Sequence, residues 1–201
     1  MDTLKAENVN FGYGSHQILK NLNFEMNNTQ VIGLFGDSGS GKSTLCKVLT
    51  GFIKDYSGNV TVNGKKHDGG YNPIQLIYQH PEKVMNPRWK MKDVLEESWM
   101  PDDDLLDEFG IKREWFGRYP SELSGGELQR FSILRSLNPK TKFIIADEIS
   151  TMLDAVTQVQ IWESLLTVAR KNEVGVLVVS HDKRLLNRIC DDILYLSDIT
   201  D

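Results

Sequence analysis

The segment VIGLFGDSGSGKS, residues 31–43, constrains the chain more than any other stretch. A short apolar run enters GDSGSGKS (36–43), which satisfies G-x-x-x-x-G-K-[ST]. Helical spacing then takes over in KSTLCKVLT, with Leu45, Val48 and Leu49 on one face. Gly36, Gly39 and Gly41 allow turns that side chains would obstruct, so successive backbone N–H groups can face phosphate oxygens. The first amides of the following helix add donors to the same cradle. Asp37, Ser38, Ser40 and Thr44 complete the loop. In this pattern Lys42 reaches the β- and γ-phosphates and the Ser43 hydroxyl ligates Mg2+. The motif alone does not choose between ATP and GTP.

A second feature lies at FIIADE (143–148), where a buried strand ends in two adjacent acids. Carboxylates there are costly unless a metal, a proton or a water occupies them. Asp147 is placed to partner the Mg2+ held by Ser43 and the phosphates. Glu148 points the other way along the backbone, towards the γ-phosphate and an attacking water. His181 follows the next strand, VLVVS, and ligand groups in α/β sheets gather beyond the C-terminal ends of strands. Its side chain is expected near the γ-phosphate or Glu148.

The rest of the chain organises around these segments. Residues 4–11 and 18–26 read as short strands separated by the turn-like FGYGSHQ, NVTVNG (59–64) as a strand ending in an Asn-Gly turn, and IQLIYQ (74–79) as a short apolar segment. From His80 to Pro139 charge and tryptophan rise, and helices are expected near 91–99, 102–109 and 126–137. Strand–helix alternation then returns: a strand at 143–147, a helix at 155–170, a strand at 174–180, a helix at 182–190 and a strand at 193–196. This pattern predicts right-handed βαβ units and a largely parallel sheet. The expected layout is a single domain, with 1–79 and 140–201 as a core and 80–139 as a helical insertion.

The net charge of −5 gives no reason to expect direct nucleic-acid binding. Cys46 and Cys190 lack metal-ligand spacing and read as small buried apolar residues in a reducing compartment. No secretion signal is expected in MDTLKAENVNFGYG, and the run Val176–Val179 falls far short of the roughly 20 residues that span a bilayer.

LSGGELQRF (123–131) is a second glycine-rich helix start, with Leu128, Phe131 and Leu134 as its apolar face. Spacing alone leaves two readings open: an anion-receptive helix N-terminus, or a capping box between Ser124 and Glu127. With GDSGSGKS, IIADE and His181 in this order, the chain resembles the nucleotide-binding subunit of an ATP-binding cassette (ABC) transporter, from Leu4 to about Ser197. The resemblance implies an α/β P-loop NTPase of ABC type, with a mainly parallel sheet core, an N-terminal antiparallel β subdomain and a helical insertion. It implies ATP and Mg2+ as cofactors, and a head-to-tail dimer in which Ser124, Gly125, Gly126 and Glu127 close over ATP held by the P-loop of the other subunit. The resemblance also assigns Tyr13 to adenine stacking, Gln79 to Mg2+ and the water, Thr151–Asp154 to a loop crossing the interface, His181 to the switch histidine and Glu148 to the catalytic base.

Within the family, QHPEKVMNPRWKMKDVL (79–95) and RYPSELSGGELQR (118–130) resemble segments of peptide and nickel importers. Such a system pairs the ATPase, as a homodimer or heterodimer, with integral membrane permease subunits and an extracytoplasmic solute-binding protein. The subunit is then expected in the cytoplasm, peripheral on the inner face of the membrane, with Trp89 and Trp99 near the permease contact. A soluble cassette ATPase of a metabolic or nucleic-acid complex, and a weakly hydrolysing regulatory subunit, remain alternatives. Two departures stand out. Ile149 replaces the usual proline after Glu148, which relaxes the backbone but keeps the carboxylate. The chain also reaches Asp201 soon after its last strand, where peptide-importer subunits usually carry an extension.

Overall fold

The computed structural model describes residues 1–200, which form two compact units. The first contains 1–76, 140–148 and 172–200, and the second contains 77–139 and 149–171.

Two sheets build the first unit. β1 (Thr3–Tyr13) pairs antiparallel with β2 (His16–Asn27) and with β4 (Ser57–Val62), giving the order β2-β1-β4. The β1–β2 hairpin is longer than its sequence suggests, because only Gly14 and Ser15 separate the strands. Pairing continues through Phe11–Leu19, Gly12–Gln17 and Tyr13–His16, and Gly14, at φ 58°, supplies the left-handed turn residue. Most of the expected turn FGYGSHQ is therefore strand.

The larger sheet has the order β5-β6-β7-β3-β8, formed by β3 (Val31–Phe35), β5 (Ile74–Ile77), β6 (Phe143–Asp147), β7 (Gly175–Ser180) and β8 (Asp192–Tyr195). β3 runs parallel to β7 and β8, and β6 parallel to β7. Every residue of β7 is buried, as a strand covered on both faces requires. Register decides what the sheet can do. Phe35 pairs with Ser180 and Asp147 with Val179, so three strands end within one residue of each other at one edge. The loops at Gly36, Glu148 and His181 all leave from that edge.

The helix after β3, α1 (Lys42–Leu49), buries Leu45, Cys46, Val48 and Leu49 in a core shared with Leu4, Leu22 and Met26 of the small sheet and Phe143, Leu177 and Val179 of the large one. Both cysteines are free; Cys46 is buried as expected, whereas Cys190 is only half-buried. Burial pushes the Cys46 thiol well up and that of Cys190 up to about 12. The helix α6 (Lys183–Ile189) is capped by Asp182, whose carboxylate accepts from the backbone N–H groups of Arg184 and Leu185.

The second unit is helical: α2 (Met91–Glu96), α3 (Asp103–Glu108), α4 (Gly125–Ser136) and α5 (Ala155–Lys171), with one short 3-10 turn before α2 and two between α3 and α4. Its core includes Phe109, Trp115, Phe131, Leu134, Trp162 and Leu165. The helix expected to reach residue 99 is regular only to Glu96 and closes in a turn, with the N–H groups of Ser98 and Trp99 both donating to the Leu95 carbonyl. Ser98 Oγ and Trp99 Nε1 donate to the carbonyls of Arg135 and Leu134 at 2.9 and 2.8 Å. Both are last-turn carbonyls of α4, and the Leu134 carbonyl also accepts from the N–H of the C-cap residue Leu137 at 3.2 Å. Trp99 is thereby tied into this unit, whereas Trp89 is 38% exposed.

At the first position of β7, Gly175, nothing larger fits. A Cβ on Gly175 would stand 2.7 Å from the Asn27 carbonyl oxygen and 2.9 Å from Phe143 Cδ1. Gly175→Ala is expected to destabilise the chain by about 1–3 kcal/mol through overpacking. Urea unfolding checks this, with the midpoint falling and the slope unchanged.

Candidate functional site

At the end of β3 the chain must turn sharply, and Gly41 shows what the turn requires. Its φ is 106°, and an added Cβ would stand 2.8 Å from Ile18 Cγ2, so both conformation and space demand glycine. Gly41 is also the N-cap of α1 and offers no side-chain cap, leaving the first amides of that helix for another acceptor. Lys42 is only 5% exposed, and its ammonium donates to the carbonyls of Gly36 and Asp37 at 2.6 and 2.8 Å. The loop is thus held in shape by its own lysine.

Asp147, at the end of β6, lies within electrostatic reach of the Ser43 hydroxyl, and its Oδ1 is buried with no hydrogen-bond partner among the described residues. Burial pushes its carboxyl above the usual carboxylate range against the opposing Ser43 hydroxyl, and the neighbouring Glu148 charge adds to the rise. A hydroxyl and an unsatisfied carboxylate oxygen are the hard oxygen donors that Mg2+ takes. No cluster of three or more His, Cys, Asp or Glu side chains able to hold a metal occurs among the described residues.

Glu148 adopts a left-handed backbone, φ 52°, which a non-glycine residue holds only when its surroundings impose it. Two contacts do so here. Its N–H donates to the Val179 carbonyl at 3.0 Å, and its two carboxylate oxygens lie 3.0 and 2.9 Å from His181 Nδ1. The structure therefore brings Lys42, Ser43, Asp147, Glu148 and His181 to one edge of the first unit. Ile149, next in sequence, is 2% exposed. Tyr13 is 55% exposed, and its ring is braced edge-on by Phe11 at 4.9 Å.

The remaining sequence candidates lie in the second unit. Gln79 Nε2 donates to Thr151 Oγ1 at 2.8 Å. Ser124 and Glu127 form the capping box, with Glu127 N–H donating to Ser124 Oγ at 3.3 Å and Ser124 N–H to Glu127 Oε2 at 2.7 Å. Ser124, Gly126 and Glu127 also line a cleft of about 540 Å3 together with Arg130, Thr157 and Gln160. Thr157 did not emerge from the sequence reading. Its signal was the spacing Asp154-Ala-Val-Thr157: Asp154 Oδ1 accepts from the N–H groups of Val156 and Thr157 at the start of α5, and Asp154 Oδ2 from the Thr157 hydroxyl.

The family model described as ABC transporter matches residues 19–151. The nickel import system ATP-binding protein NikE from several Staphylococcus aureus strains is 30% identical over 209 residues, covering 97% of this chain and 87% of that protein. Among solved structures, one titled as the ATP binding subunit of an ABC transporter superposes with a TM-score of 0.82 at 22% identity, covering 96% of this chain and 85% of the other. A dimeric ATP-binding cassette in a post-hydrolysis state with ADP and Pi gives 0.79 at 23% identity, covering 96% and 93%. At those identities the structures establish the fold.

The buried, partly unpaired carboxyl of Asp147 predicts a stability change. Its folded form holds a proton more tightly than the unfolded chain, so the destabilisation is fullest above its raised folded range and fades as pH falls through that range towards the ordinary 3.8. Without nucleotide or metal, Asp147→Asn is expected to raise Tm by about 2–4 °C at neutral pH, with a smaller gain in acid. A lowered Tm at neutral pH would refute this.

Proposed function

This chain belongs to the ABC transporter family and is an ATP-binding, ATP-hydrolysing subunit, and from that premise we propose that it powers import of peptides or of nickel and its chelates. The observation that carries the catalytic reading is the Glu148–His181 pair at the strand edge that also bears Lys42 and Asp147. The resemblance to NikE, together with the segments 79–95 and 118–130, supports import and the substrate class.

In this reading Tyr13 stacks on adenine, and Lys42 leaves the Gly36 and Asp37 carbonyls for the β- and γ-phosphates. The loop amides of 36–44 and the uncapped start of α1 bind the phosphate oxygens. Ser43 and Asp147 are the residues that would hold Mg2+, which when bound supplies positive charge to the β- and γ-phosphate oxygens. Glu148 accepts a proton from the attacking water, whose oxygen bonds to the γ-phosphorus as the bond to the β-phosphate oxygen breaks. His181 orients Glu148 through Nδ1 and turns its exposed edge to the γ-phosphate. Lys42 neutralises charge on the departing ADP.

The sheet-edge loops of one protomer are completed by Ser124, Gly125, Gly126 and Glu127 of a second cassette chain, in a homodimer or heterodimer. Such an arrangement keeps residues 1–201 as one cassette domain. No helix among the described residues is long and apolar enough to cross a membrane. The subunit is held at the inner face by permease subunits, to which an extracytoplasmic binding protein delivers solute.

The test is Mg-ATP hydrolysis by the purified chain over a wide range of protein concentration. Specific activity should rise with concentration, and Glu148→Gln should lower it by about 10²- to 10⁴-fold, the usual contribution of a general base. Activity that ignores protein concentration, or survives in Glu148→Gln, would overturn the reading.

A further inference from the structure

The two glycines of the second glycine-rich start are not equivalent. A Cβ added to Gly125 meets nothing within 4 Å, whereas one added to Gly126 would stand 2.9 Å from Thr157 Cγ2 and 3.9 Å from Leu153 Cδ2. A contact of 2.9 Å is tolerable only if the neighbour can move away, and Thr157 is poorly able to move. It is β-branched and sits in a helix, where χ1 is restricted. Its hydroxyl is bonded to Asp154 Oδ2 at 2.6 Å and its N–H to Asp154 Oδ1 at 3.0 Å, so turning the methyl aside breaks the hydroxyl bond. The helices cannot easily separate either. One turn further along, Arg130 of α4 donates to Gln160 Oε1 of α5 at 2.8 Å and to the Phe109 carbonyl at 2.8 Å.

The loop 151–154 is fixed at its other end within the same unit. Thr151 accepts from Gln79, and Ser150 Oγ accepts from Gln158 Nε2 at 2.9 Å and Trp162 Nε1 at 3.1 Å. Asp154 is thus the last anchored point of a short braced loop, and Thr157 passes its position on to α4.

We propose that Thr157 is a positioning residue: with its hydroxyl held by Asp154, it sets its methyl against Gly126 and so locks the turn 124–127 to the loop 151–154. The inference rests on the reading above, in which both segments face a second cassette chain. It adds that they meet that chain as one rigid surface, and that the glycine at 126 is required by α5 of its own protomer. Gly125, with open space around it, is the glycine left for direct approach of a ligand.

A double-mutant cycle tests the lock, using Gly126→Ala, Thr157→Ser and the pair. Thr157→Ser keeps the hydroxyl and removes the methyl. In ATPase assays against protein concentration, Gly126→Ala should lower specific activity at least tenfold and raise the half-saturating protein concentration, with KM for ATP changed less than about threefold. In the Thr157→Ser background the same substitution should cost less than threefold. A nucleotide-free readout accompanies this. Hydrogen exchange at the amides of 156 and 157 should quicken in Gly126→Ala and return towards wild type in the double variant.

Should Gly126→Ala fail to fold, Thr157→Val, which keeps the shape and drops the hydroxyl, should by itself raise the half-saturating concentration threefold or more. Equal costs of Gly126→Ala in both backgrounds, or a wild-type Thr157→Val, would overturn the lock. Wild-type activity independent of protein concentration would instead remove the two-chain reading on which the lock rests, so the two failures are distinguishable.

Discussion

Parallel register is the constraint on which the site depends. Phe35 lies opposite Ser180 and Asp147 opposite Val179, so three separately coded loops start from one line. A slip of one residue in either pairing would turn every side chain of that strand to the opposite face. The apolar sequences of β3, β6 and β7 resist such a slip because both faces are packed. The chemistry at the edge is therefore placed by residues that never touch a ligand, such as Ile32, Ile145 and Leu177.

Along that edge the polar groups divide into satisfied and unsatisfied. Lys42 and Glu148 each have two short contacts, while Asp147 Oδ1 has none. A buried orphan oxygen is costly in isolation, and in the proposed reading it is one of the donors a bound cation would take. Glu148 is strained rather than orphaned. Its left-handed backbone is held by a carbonyl of the neighbouring strand and by an imidazole. A following proline is therefore not the only means of fixing a glutamate, and with Ile149 the fixing falls to these tertiary contacts.

Much of this was legible in the sequence because glycine, lysine and acid spacing report backbone chemistry directly. GDSGSGKS, FIIADE and the histidine after VLVVS each lie where their elements end. The hairpin was less legible. Glycine and serine in FGYGSHQ look like a long turn, yet cross-strand pairing extends both strands to within two residues of each other. Local propensity does not see the partner strand. The same blindness hid Thr157, whose role depends on a glycine some thirty residues earlier, although its bond to Asp154 could be read as a helix-start pattern. LSGGE carried two readings, and the capping box is present in the folded chain. Capping leaves Gly125 open, so the bland reading does not exclude the other.

The self-bonded state of Lys42 bears on how the chain tells one nucleotide from another. A loop that its own lysine already holds in shape gains from a phosphate only the difference between two sets of bonds. ADP offers that loop much the same α- and β-phosphate oxygens as ATP. The loop backbone is thus suited to retain either nucleotide. In the proposed reading the third phosphate is registered by side chains, by Lys42 once it gives up those two carbonyls and by His181 at the same edge, so the cost of releasing the lysine is recovered only when that phosphate is present.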